Sequence, residues 1–438
     1  MSRYFLMGAD EKVLFDLPKK WAVLTNAVLE AEEVRQTIPE MVANAIGNPI
    51  GTSPLKSLMK PTDRVTVILD DMTRPTPKRE ILTCLLDHFK AFGVPMDRIQ
   101  VLIGLGTHRP LGDEEIEKVF GKDICRNIRF TNHDCRSSQL VPVGRLPHAG
   151  EVRIHPLVAK ADFRMAIGSI IPHPFNGFGG GAKIIFPGVA NYEAIRDHHT
   201  ALMIADGVQL GNLRSNPFHD EVSEAARLAK LDFIVNAVYD SKERVKAIVA
   251  GHFEKAYSAG AEMCLHECGV KFNDGADVTL ASTFPYTEGP QLMKPLGPAT
   301  AVTKKGGTVI LYASAIRGGR LPEPLLESFD KAFSLCGKDC KQLVLDSLRH
   351  KTVIVPDAPM DFNCALDHTL LLMSRINVVL VAKDADEGQA ARLGFSFADS
   401  LDEAIAKVSK DIPDATVNIL PSGGLIIPVV NKEMAFEW

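Results

Sequence analysis

The run Val65-Thr-Val-Ile-Leu-Asp70 does most to limit what this chain can fold into. Between the charged ends Arg64 and Asp70 it is largely apolar without alternation, and it stops at acidic and turn residues. Continuous apolarity of that length marks a strand covered on both faces, hence a parallel sheet between layers of helices. The pattern recurs along the chain. A helix is predicted over residues 78–92, a strand over 99–105 and a helix from near Asp113, whose Glu114, Glu115 and Glu117 suit the helix dipole. Strands over 161–168 and 233–240 follow, with helices over 221–231 and 252–268. Such alternation defines a doubly wound sheet, where ligands bind at the carboxyl ends of strands.

A second α/β unit begins near residue 271. Its strands are expected over 277–282, 307–314, 351–356 and 376–382, with final strand material from Thr416 onward. Helices are expected over 325–333, 340–348 and 401–409. Gly269, Asn273, Asp274 and Gly275 suit a turn between domains, so the domains are drawn as 1–270 and 271–438. A chain of 438 residues suffices for two cores. The expectation is an α/β protein of two lobes with mostly parallel sheets and the active site in the interdomain cleft.

Composition excludes some partners. A net charge of −5 and the lack of a basic, aromatic stripe argue against nucleic acid. No apolar run approaches the roughly 18 residues of a membrane span. Asp10 and Glu11 fall where a signal peptide would continue its apolar core, so a cytoplasmic location is expected. The eight scattered cysteines are expected as reduced thiols. Cys264-Leu-His266-Glu-Cys268 lies in a helical pattern and reads as buried cysteines, because the four-ligand set of a structural zinc is incomplete. Cys336-Gly-Lys-Asp-Cys340 reads the same way.

The densest chemistry runs from His173 to His199, H-P-F-N-G-F-G-G-G-A-K-I-I-F-P-G-V-A-N-Y-E-A-I-R-D-H-H. Its glycines let the backbone approach a ligand closely. Lys183 can neutralise a phosphate or act as a nucleophile. The following I-I-F-P reads as β. His198 and His199 end a short helix, where one imidazole can bind a metal; only one of the pair is expected to face inward. Gly177-x-Gly-x-x-Ala182 mimics a dinucleotide fingerprint, but it lacks the strand before it and the helix after it.

Two strand ends add to this. In Asp70-Asp-Met-Thr-Arg-Pro-Thr-Pro77, Asp71, Thr73 and Arg74 can anchor an anion, or they can simply open a helix with proline in its first turn. In Gly106-Thr-His-Arg-Pro110, His108 is a candidate acid–base group or a loop histidine bonded to backbone, and His173 is a second candidate. In the second lobe Gln291 and Lys294, three apart, share a face if helical.

Taken together these motifs resemble the nickel-dependent lactate racemases and their 2-hydroxy-acid racemase and epimerase relatives. The resemblance covers most of the chain. It implies a first lobe for cofactor binding and catalysis and a second that closes the substrate cleft. It implies a nickel-pincer nucleotide, pyridinium-3,5-bisthiocarboxylic acid mononucleotide, that holds nickel through sulfur and a ring carbon, and it implies partner proteins that make this cofactor. By resemblance Lys183 tethers the cofactor and His199 ligates nickel, with His198 as the alternative ligand. Asp71, Thr73, Gly180 and Gly181 belong to cofactor-facing loops. His108 and His173 are the paired acid–base groups. Arg74, Gln291 and Lys294 bind the substrate.

The chain departs from the family pattern in places. Gly179 stands where the family carries a hydroxyl, Pro290 where lactate enzymes carry an aromatic residue, and Asn176 adds an amide beside the expected pocket. The expected substrate is therefore larger or more polar than lactate: malate, 2-hydroxyglutarate, phenyllactate or an aldonic acid such as gluconate. The α-C–H of a 2-hydroxy carboxylate is poorly acidic, so hydride transfer through a planar 2-keto acid avoids a carbanion. Return of hydride to either face then needs a proton donor on each side. The competing readings are an NAD-dependent 2-hydroxy-acid oxidoreductase and a non-catalytic carboxylate-binding homologue.

Overall fold

The computed structural model describes residues 3–337 and 339–430. They form two compact units, one from Ala31 to Glu267 and one that joins the first thirty residues to the chain from Cys268 onward. The lobe boundary drawn near residue 270 falls within three residues of this division, but residues 1–30 belong to the other unit. The reason is a strand, Ala22–Asn26, which pairs in parallel with Thr416–Leu420 and covers what would otherwise be an open sheet edge.

The Ala31–Glu267 unit is built on six strands in the order Val245–Gly251, Phe233–Tyr239, Phe163–Ile170, Val65–Asp70, Ile99–Gly104 and Arg129–Asn132. All pair in parallel except Val245–Gly251, which runs antiparallel to its neighbour. Phe163–Ile170 and Phe233–Tyr239 are buried along their whole length, as strands covered on both faces are, with Arg164, Ser169 and Asn236 buried among the apolar residues. From Val65–Asp70 the chain winds outward on one side, to Ile99–Gly104 and Arg129–Asn132. It then returns to Phe163–Ile170 on the other side of the first strand and winds outward the opposite way. The reversal between Val65–Asp70 and Phe163–Ile170 is a topological switch point, where the two following loops part and leave a crevice.

The predicted strand at I-I-F-P is not formed. Gly181–Ile184 is a 3-10 turn, and the amides of Ile185 and Phe186 both bond to Ala182 O. Ile185 and Phe186 are fully buried, so the apolar run reflects enclosure rather than strand pairing. The glycine loop thus lacks both the long strand and the α-helix of a dinucleotide fold.

The other unit carries a wholly parallel sheet in the order Ser396–Ala398, Asn377–Ala382, Thr303–Ala313, Ala276–Ser282, Thr416–Leu420 and Ala22–Asn26. The strand expected over 351–356 is absent. Asn363 takes its place as a partner, accepting from Val355 N and donating to Val355 O, both at 2.9 Å. Cys336 and Cys340 form a disulfide, contrary to the expected thiols; Lys338 between them lies outside the described residues. Cys264 and Cys268 are buried while the His266 side chain is 88% exposed, so the three do not converge on a metal. Among the described residues no helix is long and apolar enough to cross a membrane.

In helix Met360–Met373, Asp367 is fully buried with no hydrogen-bond partner for either oxygen. Burial pushes its carboxyl up to about 8 and pushes the neighbouring His368 down to about 4. Folded Asp367 keeps a proton that the unfolded chain releases above its ordinary value of 3.8, so this residue lowers stability as pH rises toward 8. His368 acts in the opposite sense up to its ordinary value of 6.5, so the Asp367 slope stands alone between about 6.5 and 8. Asp367→Asn should remove a slope of about 1.4 kcal/mol per pH unit. Thermal melts over that window should therefore fall more steeply for the parent than for the variant. Parallel curves would mean that the acid is ionised in place.

Candidate active site

At the switch point the loop after Val65–Asp70 carries Asp71, Thr73 and Arg74. Asp71 organises it: Oδ1 accepts from Thr73 N at 2.7 Å and from Thr73 Oγ1 at 2.5 Å. Arg74 Nη1 donates to Thr73 Oγ1 at 3.1 Å. The other carboxylate oxygen, Oδ2, lies 2.7 Å from His108 Nδ1. Burial pushes the Asp71 carboxyl up, but the bond and charge from His108, the charge of Arg74 and the Thr73 hydroxyl outweigh it and hold the acid well below the usual carboxylate range.

His108 reaches Asp71 because the chain turns tightly after Ile99–Gly104. Gly106 adopts φ 55°, and His108 N bonds back to Leu105 O at 2.8 Å. A carboxylate on Nδ1 fixes the imidazole as the Nδ1–H tautomer, so Nε2 is the nitrogen set to accept a proton. His173 is arranged in the opposite way. Its Nδ1 accepts from the amides of Phe175 at 3.2 Å and Asn176 at 3.1 Å, which places the ring hydrogen on Nε2. A two-residue antiparallel pairing of Pro172–His173 with Gly177–Phe178 closes this turn.

The glycine loop then folds onto the sheet. A Cβ on Gly104 would meet Ile184 O at 3.3 Å, and one on Gly168 would meet Ile184 Cδ1 at 2.5 Å. Glycine in both strands is therefore what lets the turn bearing Lys183 seat at the switch point. Gly180 and Gly181 have φ 74° and 55°, and Gly181 N donates to buried Asn236 Oδ1 at 2.7 Å. Asn176 is used internally: its amide donates to Phe178 O and to Tyr257 Oη. It is 1% exposed and does not present an amide to a ligand as expected.

Both His198 and His199 are buried, contrary to the expectation that only one would turn inward. The helix Tyr192–Leu202 is enclosed on several sides, and Phe218 packs against both rings at 4.2 and 4.9 Å. His198 is closed in: Nε2 lies 3.2 Å from Phe218 O, and Phe186 stands edge-on at 5.0 Å. His199 Nδ1 donates to Ile195 O at 2.8 Å, which leaves Nε2 as the lone-pair nitrogen. Burial, with the Lys183 charge, pushes His199 down to about 3, so the ring is neutral and able to act as a ligand. Lys183 Nζ lies 5.6 Å from the Phe218 ring centre, so Lys183 and His199 border one aromatic side chain.

Gln291 and Lys294 belong to the other unit, on the 3-10 turn Gly289–Met293 and at its end. The turn is helical in the sense expected, and Lys294 Nζ sits 4.9 Å from the centre of the Tyr286 ring. Four residues of the first unit escaped the sequence reading: Phe218, His219, Asn236 and Tyr257. Tyr257 donates to Phe178 O at 2.9 Å and stacks on His219 at 5.4 Å. Asn216, which caps the helix Pro217–Leu228 through His219 N, was the one legible sign of this layer.

An α/β sheet whose strand ends carry a carboxylate-bound imidazole and an arginine, with a lysine on a glycine turn packed against the same strands, is the usual setting of a small-molecule site. Comparison with known proteins identifies the family. Residues 9–211 match the lactate racemase N-terminal domain. The chain is 30% identical to lactate racemase from Thermoanaerobacterium thermosaccharolyticum, over 95% of this chain and 96% of that one. It is 30% identical to lactate racemase from Lactiplantibacillus plantarum, over 89% and 90%. The structure of the apoprotein from the first organism superposes with a TM-score of 0.85 at 28% identity, covering 98% of this chain and 100% of that one. A Thermotoga maritima protein shares the fold, with a TM-score of 0.64 at 21% identity and coverage of 90% and 98%. The chain belongs to the lactate racemase family and is an isomerase of the racemase and epimerase type.

The glycine turn gives a direct test of this packing. A Cβ on Gly180 would lie 2.7 Å from Ser169 O and 2.9 Å from Asn236 Oδ1, at a φ of 74°. Gly180→Ala should cost on the order of 1–3 kcal/mol through the backbone alone and lower the melting temperature. An unchanged melt would show that the turn has room to move.

Proposed function

We propose that this chain inverts a stereocentre of a 2-hydroxy carboxylate with the help of a nickel-pincer nucleotide. The observation that carries this reading is the opposed hydrogen bonding of the two histidines. Asp71 fixes His108 as an acceptor at Nε2, while two backbone amides hold His173 as a donor at Nε2. A racemase needs such a pair. One group takes the hydroxyl proton as the carbinol carbon becomes planar, and the other returns a proton when the opposite face is closed. Arg74, Gln291 and Lys294 are the groups assigned to the substrate; a guanidinium matches a carboxylate with two parallel bonds.

The residues fit the cofactor. Among the described residues no group of three His, Cys, Asp or Glu converges as a metal site. A nickel ion here would take most of its donors from a ligand, with His199 Nε2 completing the set. Lys183 borders the same Phe218 ring as His199, as a covalent tether to that ligand would require. Gly180 and Gly181, whose missing side chains are replaced by Ser169, Asn236 and Tyr257, set the path of the backbone into Lys183, and Asp71 and Thr73 shape the loop assigned to the cofactor. When bound, the nucleotide supplies a reversible hydride acceptor, and the bond from Ile195 O orients His199 toward it.

The finer proposal is a substrate other than lactate. Pro290 is buried and carries no aromatic face before Gln291, and Gly179 offers no hydroxyl. The earlier support from Asn176 falls away, because its side chain is buried and its amide nitrogen is bonded inside the protein. The preferred substrates are malate, 2-hydroxyglutarate, phenyllactate and aldonic acids.

The test is to produce the chain together with the proteins that make the nickel-pincer nucleotide, verify bound nickel, and follow single enantiomers by chiral chromatography. Inversion without net redox change is expected, slower for lactate than for a larger acid. Fastest inversion of lactate would overturn the finer proposal, and net oxidation with added nicotinamide nucleotide would overturn the broader one. His108→Ala and His173→Ala should each lower turnover by about 10²–10⁴-fold with nickel retained. His199→Ala should lose nickel, and Lys183→Ala should release the nucleotide on denaturation.

A further inference from the structure

Beneath the Asp71–Arg74 loop lies a closed ring of buried polar groups that the reaction does not use. Lys78 Nζ lies 3.0 Å from Asp70 Oδ1 and donates to Arg74 O at 3.0 Å. Thr76 Oγ1 bridges Asp70 Oδ2 at 2.5 Å and Ser169 Oγ at 2.6 Å. Ser169 Oγ, whose proton goes to Thr76 Oγ1, lies 3.4 Å from Tyr239 Oη, and Tyr239 donates to Pro75 O at 2.7 Å. The ring therefore grips two successive carbonyls, those of Arg74 and Pro75, from three neighbouring strands and one helix.

Lys78 is 3% exposed, and lysine is almost never so buried unless paired. It opens the helix Lys78–Phe92, where a cation opposes the helix dipole, so helix stability does not account for it. An apolar pair of similar volume would serve the core as well or better. What an apolar pair cannot do is hold Arg74 O. The residues fixed by that hold are Asp71, bonded through its carbonyl to Arg74 N at 3.3 Å, and through Asp71 the imidazole of His108.

We infer that Lys78, anchored by Asp70, is a positioning residue: it pins the Arg74 carbonyl so that Asp71 stays aligned on His108 Nδ1 and Arg74 faces the substrate. The inference rests on His108 being the proton acceptor. Its test is therefore built on a signal that does not need turnover.

The low-field Nδ1–H proton of His108, identified by its loss in His108→Gln, reports the Asp71 bond in the whole chain labelled with ¹⁵N-histidine. The double variant Lys78→Met with Asp70→Leu removes both charges and keeps the volume. It should melt at the parent temperature or above, yet lose or broaden the His108 signal. With the loaded enzyme, kcat should fall by on the order of 10–100-fold, as small misplacements at a reacting centre do. A folded double variant with the parent signal overturns the inference. If the double variant does not fold, Tyr239→Phe releases the Pro75 carbonyl without touching a charge. Its His108 signal should then broaden while its fold is kept, and an unchanged signal overturns the inference. Failure of the parent to invert any substrate would instead count against the proposed function, with the His108 signal still deciding the role of Lys78.

Discussion

The architecture of the first unit depends on one close approach, that of the Gly181–Ile184 turn to the glycines of two central strands. Gly104 and Gly168 lie on strands that flank Val65–Asp70, and the atoms that would fill their missing side chains belong to Ile184. Everything that gathers at the switch point follows from that fit. The turn carries Lys183, the chain beyond it enters the helix of His198 and His199, and the loop before it contains His173. A methyl group at Gly168 would force the Ile184 side chain to move, and one at Gly104 would press on Leu69 O and Ile184 O at 3.2 and 3.3 Å, so either would loosen the seat of the turn that carries Lys183.

The same edge sorts its ionisable groups by environment. Asp71 is held as an anion by a histidine, an arginine and a hydroxyl although it is buried. His199 and His198 are held neutral by burial beside a lysine. Asp70, one residue from Asp71, is pushed the other way by burial, against the pull of Lys78 and Thr76. Two adjacent, similarly buried carboxyls thus differ because Asp71 gains a histidine, an arginine and a hydroxyl, whereas Lys78 and Thr76 do not offset burial at Asp70.

Much of this was legible in the residues. Largely apolar runs marked the central strands, and Asp71 and His108, just beyond two of them, lie 2.7 Å apart. The resemblance to racemases, drawn from short motifs, agrees with the comparisons over nearly the whole chain. The misses have physical causes. At 351–356 the side chain of Asn363 supplies the hydrogen bonds that a neighbouring strand would have made. At 184–187 strong burial imitates strand composition. Phe218, Asn236 and Tyr257 read as core residues because nothing in a single sequence tells a core aromatic from one that borders a reactive lysine. Ala22–Asn26, with alternate residues exposed, has only the short apolar run Trp21-Ala-Val-Leu24, and its partner lies at the far end of the chain.

That last pairing has a consequence for how the protein is made. The unit from Ala31 to Glu267 is an insertion into its companion, whose strand Ala22–Asn26 is synthesised early and whose neighbouring strand, Thr416–Leu420, is among the last. The inserted unit leaves the ribosome complete while the companion still lacks most of its sheet. Domains fold as units in order of synthesis, and parallel sheets with distant partners are slow to close. The lobe that holds the histidines and Lys183 can therefore form first, while the Ala22–Asn26 segment waits unpaired through most of translation.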